Sequence, residues 1–523
     1  MDLKTGFQIH FFCLDLQYQT HKNIKQTIKI MLKKIRTILG TIFLVCITAL
    51  FLDFTGTLKM WLSWMADLQF LPAVLGLNLV AIVIVLALTL LFGRIYCSVI
   101  CPAGTYQDAV SHLAAKFKKN RFSFSKENKI LRFSVLGVFV ILLLVGLNGI
   151  AILIAPYSAY GRMVENLLGP IYKGVNNLLA QAAEHYDSYA FYEVDVWIKA
   201  MPVFIVAVVT AIVFTVLSWH GGRTWCNNIC PVGTVLGYLS KFSLFKIRID
   251  ADKCVNCRLC EKNCKSSCID IDNHTVDYSR CVSCMNCLGK CKKDAIHFAL
   301  APKSQSAPAP KNDGKPDASL RAMLTATATL AATSVLHAQD KTTDGGLAVI
   351  EDKKIPERET PVKPAGSRSL SSFSSKCTGC QLCVAVCPNG VLRPSTKLAT
   401  FMQPEMSFER GYCRPECTRC GEVCPAGAIQ PITREQKTAI RAGHAVWVKD
   451  NCLPQKDGVS CGNCAEHCPS GAITMVPKPD NPQVKIPSID TERCLGCGAC
   501  EHLCPVRPFS AIYVEGNLVH GDM

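Results

Sequence analysis

Between Cys254 and Cys291 the chain reads CVNCRLCEKNC and then CVSCMNCLGKC, two runs of four cysteines at C-x2-C-x2-C-x3-C. A short loop and the first turn of a helix wrap an iron-sulfur cubane at this spacing, and in two-cluster arrangements the fourth cysteine ligates the partner run's cluster. The expected ligand sets are Cys254, Cys257, Cys260 and Cys291 for one [4Fe-4S] cluster, and Cys281, Cys284, Cys287 and Cys264 for the other. Four further runs supply Cys377, Cys380, Cys383 and Cys387; Cys413, Cys417, Cys420 and Cys424; Cys452, Cys461, Cys464 and Cys468; and Cys494, Cys497, Cys500 and Cys504. Each of these four ends in Cys-Pro, which turns the chain off the cluster. The middle two carry insertions in their first gap, so pairing by regularity sets outer with outer and middle with middle, one ferredoxin unit nested in the other. Six clusters are expected.

Dense cysteine has two other readings, a disulfide framework and zinc ribbons. The first suits short secreted chains, and the second uses two C-x2-C pairs set well apart rather than four cysteines within about a dozen residues. Neither fits runs attached to a long apolar region. No C-x2-C-H occurs, which excludes covalent c-type haem. Of the 31 cysteines, Cys13, Cys46 and Cys268 fall outside every motif and read as packed or spectator residues.

Four segments, about 37–54, 71–93, 132–155 and 200–219, are apolar for long enough to cross ~30 Å of hydrocarbon. The net charge of +16 follows them. Lys and Arg collect before the first segment (Lys22 to Arg36) and between the second and third (Arg94 to Arg132), whereas the opposite loops hold only Lys59, Arg162, Lys173 and Lys199. That is the positive-inside pattern of a bacterial inner-membrane protein, and it argues against nucleic acid as a partner. Four crossings return the chain to the cytoplasm, where the Cys254–Cys291 unit is expected. NLLGPIYKGVNNLLAQAA in the outer loop has apolar positions at helical spacing, fitting an interfacial helix or a packed surface loop.

GRIYCSVICPAGT (93–105) recurs as GRTWCNNICPVGT (222–234) at the ends of the second and fourth segments. Such a repeat implies a duplicated two-span unit about an axis along the membrane normal, bringing Cys97, Cys101, Cys226 and Cys230 to one membrane face. These four could ligate an additional cluster or metal or form a redox-active thiol set; otherwise the Cys-Pro corners only end the spans.

The expected fold is multi-domain: an α-helical membrane domain of four spans, or five, an α+β ferredoxin-like dicluster domain, and a second, four-cluster ferredoxin-like domain. The divisions are a basic cytoplasmic N-terminus (1–36), the membrane domain (37–245), the dicluster domain (246–300), a Pro/Lys/Ala linker (301–318), a fifth span or vestigial export signal (319–338), a polar arm (339–376) and the four-cluster domain (377–515). Met31 opens a second conventional start, MLKKIR.

With these motifs, residues of about 31–300 resemble the membrane quinol dehydrogenase of periplasmic nitrate reductase systems, the NapH type. The wider family includes the nitrous-oxide reductase regulator and cytochrome oxidase maturation ferredoxins. Residues of about 318–515, including FMQPEMSFERGYCRPECTRCGEVCPAGAI, resemble the four-cluster ferredoxin of the NapG type. The partner in that family is exported through a twin-arginine signal, whereas Ser319-Leu320-Arg321-Ala322 keeps one arginine.

The function expected is quinol oxidation, with electrons relayed through six [4Fe-4S] clusters from the membrane quinone pool to a separate terminal reductase or cytochrome. Arg94, Arg223 and His220, near span ends, could bind a quinone headgroup or serve as interfacial and capping residues. No substrate-reducing or sensory motif is recognisable. The second reading is a redox assembly or maturation factor for a copper or haem oxidase, working through the corner cysteines.

Overall fold

The computed structural model describes residue 27 and residues 30–118, 122–188, 190–291, 293–300 and 351–522. Cys13, the linker and the 319–338 segment lie outside the described residues.

Two helices, Ile30–Leu52 and Met201–Gly221, are long and apolar enough to cross a membrane. The other two apolar segments are broken. An Asn78 side chain accepting from Ala81 N starts a helix at Leu79, which ends at Phe92, short of the expected 71–93 span. Asn128 likewise caps Lys129–Val145, and Gly146 in the left-handed conformation ends it well before residue 155. Asparagine caps and glycine stops act through single backbone groups, which averaged hydropathy does not register.

All four helices nevertheless run between the same two ends. At one end sits the Cys254–Cys291 unit: Ser283 Oγ donates to Phe92 O at 2.8 Å, Arg132 to Ser279 Oγ at 3.0 Å, and Arg223 N to Lys265 O at 2.8 Å. The first helix joins them through Arg36, which pairs with Asp108, itself 2.6 Å from Lys265. At the other end sits the C-terminal unit. Gly76 packs on Ala426 O, Gly161 on Cys380 O, and Asn148 donates to Ser374 O. Val203, Ile152 and Met402 share one small core there. We call these the proximal and distal ends.

Short antiparallel ribbons close the ferredoxin units. Phe245–Ile249 pairs with Ile296–Leu300 in the proximal unit, and Ile440–Trp447 with Ile512–Asp522 in the distal one. The last strand therefore runs past the expected domain end at 515. The described part of the arm, 351–376, is also packed rather than free. Val362 and Lys363 are buried, and Arg358 holds Glu501 at 2.6 Å. Burying the charges of this polar stretch against partners in the distal unit makes it a strap.

Candidate iron-sulfur relay

The four regular runs share one backbone signature. The residues just before and just after the second cysteine have positive φ: Asn256 and Arg258, Ser283 and Met285, Gly379 and Gln381, Gly496 and Gly498. Left-handed residues alternating with ordinary ones turn successive N–H groups to one side and make an anion-binding concavity. Five of these eight, Asn256, Arg258, Ser283, Met285 and Gln381, are not glycine and hold the left-handed conformation against the usual steric preference, the sort of local strain that collects at functional sites.

In the proximal unit Cys260 neighbours Cys257 and Cys291, and Cys287 neighbours Cys281, Cys284 and Cys264. In the distal unit the nested pairing is wrong. Cys377, Cys380 and Cys383 converge with Cys424, and Cys413, Cys417 and Cys420 with Cys387. Cys452, Cys461 and Cys464 meet Cys504, while Cys494 and Cys497 meet Cys468. Consecutive runs pair because each fourth cysteine lies a few residues past its own loop, within reach of the next run. The insertions bulge outward instead of changing partner. Cys413 N bonds Cys497 O at 2.9 Å, and Cys500 neighbours Cys464. The groups thus form a row that starts with Cys380 at the helical bundle, passes Cys413 and Cys497, and ends with Cys464.

These sets fit [4Fe-4S] clusters chemically: four thiols each, buried or half-buried except at Cys257, with donors aimed at sulfur. Gly379 N points at Cys377 Sγ (3.5 Å) and Ala511 N at Cys504 Sγ (3.3 Å). Lys437 Nζ lies 3.2 Å from Cys413 Sγ; burial opposes its charge, but the neighbouring cysteine sulfurs hold its ammonium above the usual lysine range. Burial, with Arg507 beside it, pushes Lys353 down to about 8. Cys268 is buried with its Sγ 3.6 Å from that of Cys264, and Cys46 packs at the edge of the core.

The corner cysteines come together, as expected of the duplication, but inside the helical bundle. Gly93 touches Ser283 at the proximal end, the chain turns inward through Tyr96–Val99 to Cys101, and Pro102–Phe117 leads back to the proximal side. Gly222 against Lys265 starts the matching path through Thr224–Asn228 to Cys230, and Pro231–Leu239 returns. Both corners are re-entrant, and all four thiols are at most 4% exposed. Arg94 and Arg223 are fully buried as well and bond backbone carbonyls, so neither is open to a quinone headgroup. His220 faces outward and bonds Val216 O.

A cavity of about 620 Å³, which no sequence motif marks, lies between the first helix, Pro102–Phe117 and the proximal unit. Thr41, Leu44, Asp108, His112, Lys265 and Asn286 are on its wall. Lys265 and Asp108 are also neighbours of Cys284, which places the cavity beside a cluster set. Its residues come from distant segments and share no motif.

The 4Fe-4S dicluster domain family matches residues 376–438 and 459–507, and the 4Fe-4S binding domain family matches 74–120 and 200–250. The first segment holds the runs of Cys377 and Cys413 whole, and the second holds Cys461, Cys464 and Cys468 with the run of Cys494, in agreement with the pairing above. YccM of Escherichia coli K12, whose name places it in electron transport, is 26% identical over 200 residues, 38% of this chain and 48% of its own length. The chain thus spans about half the length of that relative. The methylamine utilization ferredoxin-type protein MauN of Paracoccus denitrificans is 23% identical, covering 37% of this chain and 54% of its own. MauM of Methylobacillus flagellatus, of the same description, is 33% identical over 174 residues, 30% of this chain and 70% of its own. No solved structure matches.

Proposed function

The chain belongs to the ferredoxin-type 4Fe-4S protein family that includes MauM, and on that footing we propose that it oxidises a membrane quinol and relays the electrons through six [4Fe-4S] clusters to a separate terminal reductase or cytochrome. Iron-sulfur electron transfer itself follows from the matched domains. The finer reading joins a NapH-type membrane part to a NapG-type ferredoxin. The observation that carries it is the 620 Å³ cavity opening between the first helix and Pro102–Phe117 beside Cys284.

In this reading the four helices each cross the membrane. The proximal unit, next to the basic loops, lies in the cytoplasm, and a fifth crossing within 319–338 carries the distal unit outside. When bound, the clusters accept and release one electron at a time, which divides the two electrons of a quinol. Thr41 and Leu44 receive the ring, and His112 is the wall group able to take a quinol proton. Asp108 cannot easily serve, being tied to Arg223, Lys265 and Arg36. The exit is the set of Cys452, Cys461, Cys464 and Cys504, the far end of the distal row.

A maturation role through the corner cysteines needs thiols that a client can touch, and their burial argues against it. To test the proposal, Thr41→Trp would fill the cavity. Quinol-driven cluster reduction should fall more than about tenfold while dithionite reduces the clusters as in the parent. Unchanged quinol-driven reduction would remove the cavity from the mechanism.

A further inference from the structure

We propose that Cys97, Cys101, Cys226 and Cys230 together hold a seventh iron-sulfur cluster, inside the helical bundle between the two ferredoxin units. The inference deepens the relay reading above and rests on it for the direction of flow.

Each copy of the corner repeat supplies two cysteines, half a ligand set. The segments matched by the 4Fe-4S binding domain family, 74–120 and 200–250, contain these four cysteines and none of the ferredoxin runs. The two halves are brought together: Cys101 neighbours Cys226 and Cys97, and Cys230 neighbours all three others. Among the described residues no three such side chains converge tightly enough for a single metal ion, and the same holds for the ferredoxin sets. A cubane holds its ligand sulfurs farther apart than one ion does, so this spacing is compatible with a cluster at the corner set as at the ferredoxin sets.

The surroundings suit an anionic centre. Gln107 Nε2 donates to Cys226 Sγ at 3.1 Å and Gly233 N to Cys230 Sγ at 3.3 Å, while Arg94 Nη2 and Arg223 Nη1 lie 3.8 and 3.9 Å from Cys97 and Cys226 Sγ. Arg94 is fully buried, and its other bonds go to Asn227 Oδ1 and the carbonyls of Ser279 and Cys226, none of them a carboxylate. Arg223 shares the single carboxylate of Asp108 with Arg36 and Lys265. Arg94 Nε and Arg223 Nη2 have no hydrogen-bond partner among the described residues. A buried cation is costly without an opposing charge, and cluster thiolates supply one; Cys281 and Cys284 answer only part of it from the proximal unit.

The position completes a path. Arg94 bonds Ser279 O beside Cys281 on one side. On the other, Tyr106, just past Cys101-Pro102, lies 6.4 Å from the Tyr160 ring, one helical turn from Tyr157, which neighbours Cys380. One electron enters from the side of Cys281 and leaves toward Cys380. No covalent bond is made or broken, no proton moves, and the quinol supplies the electron.

The test compares iron and acid-labile sulfide in the full-length protein, purified without oxygen in detergent, with those in Cys97→Ser/Cys226→Ser and Cys101→Ala/Cys230→Ala. Each pair should lose about four irons per chain, with the low-temperature spectra of the ferredoxin clusters kept. Iron equal to the parent, or denaturing thiol labelling that finds the four cysteines as disulfides in iron-loaded protein, overturns the proposal. Native mass spectrometry of the unsubstituted chain gives a readout that needs no variant to fold: seven clusters are expected, and a fully loaded form stopping at six contradicts the site. Failure of the six-cluster reading would appear as a shortfall common to parent and variants, leaving the difference between them intact.

Discussion

Arg223 donates to the carbonyl oxygen of Cys97 at 2.7 Å across the two corner repeats, and Arg94 returns the bond to Cys226 at 3.0 Å. Re-entrant backbone inside a bundle leaves carbonyls without helical partners, and it persists only where protein satisfies them. The two arginines do this reciprocally, as a twofold arrangement requires.

The crossing needs bare backbone at Gly104. A Cβ there would lie 2.1 Å from Cys97 O and 2.6 Å from Arg223 Nη1, and Gly233 is matched against Cys226 O and Arg94 Nη2 at 2.2 and 2.8 Å. Gly104→Ala should destabilise the protein by about 3 kcal/mol, the upper range for overpacking. Gly137→Ala, with nothing within 4 Å, should be neutral or slightly stabilising. Thermal unfolding of both in the same detergent checks the contrast; equal melting temperatures would contradict it.

Adjacent pairing in the distal unit makes a spectroscopic prediction. Cys380→Ser and Cys424→Ser should each remove the same reduced-cluster signal, and Cys387→Ser should match Cys420→Ser. Under nested pairing Cys380→Ser would instead match Cys504→Ser. Low-temperature electron paramagnetic resonance of the reduced proteins separates the two outcomes.

Docking of the distal unit depends on Lys199, whose ammonium binds Glu165 at 2.6 Å and Val384 O at 2.9 Å, both carboxylate and amine largely shielded from solvent. Lys199→Ala leaves Glu165 without its partner, at a cost of about 3 kcal/mol. Hydrogen exchange should rise around Val384 and Asn166, the latter bonded to Gln381. Parent-like exchange there would show that the contact is dispensable.

His520, on the last strand, is held neutral by burial, which pushes it down to about 4 from 6.5. Below pH 6.5 the unfolded chain takes up a proton that the folded one refuses, so stability falls with pH through this window and levels off below 4. The loss between neutral pH and pH ~5.5 is about 1 kcal/mol. His520→Gln should flatten that slope in urea unfolding; an identical slope would assign the acid sensitivity elsewhere.

The sequence made the local chemistry legible and left the long-range arrangement obscure. Cysteine spacing encodes how a loop wraps a cluster, and the paired left-handed residues around Cys257, Cys284, Cys380 and Cys497 are its physical trace. Spacing carries no information on which run reaches which, and the insertions in the runs of Cys413 and Cys452 misled by suggesting kinship between the irregular pair. The corner repeat was visible as a duplication. That Cys101 and Cys230 lie within the bundle was not, because hydropathy does not distinguish a chain that crosses from one that enters and turns back at a Cys-Pro step. The cavity around His112 was invisible for another reason: its wall is assembled from the first helix, a re-entrant helix and the proximal unit.

Two ferredoxin units sit at opposite ends of one helical bundle, and a relay across the membrane requires them on opposite sides of it. A reporter pair, one active only in the cytoplasm and one only outside, would be fused after Met523 and compared with labelling of the exposed Cys257 by a membrane-impermeant thiol reagent in apo-protein. The expected result is an external C-terminus and a Cys257 protected in intact cells but labelled in inverted vesicles. A cytoplasmic C-terminus would place both units on one side and contradict a relay across the membrane.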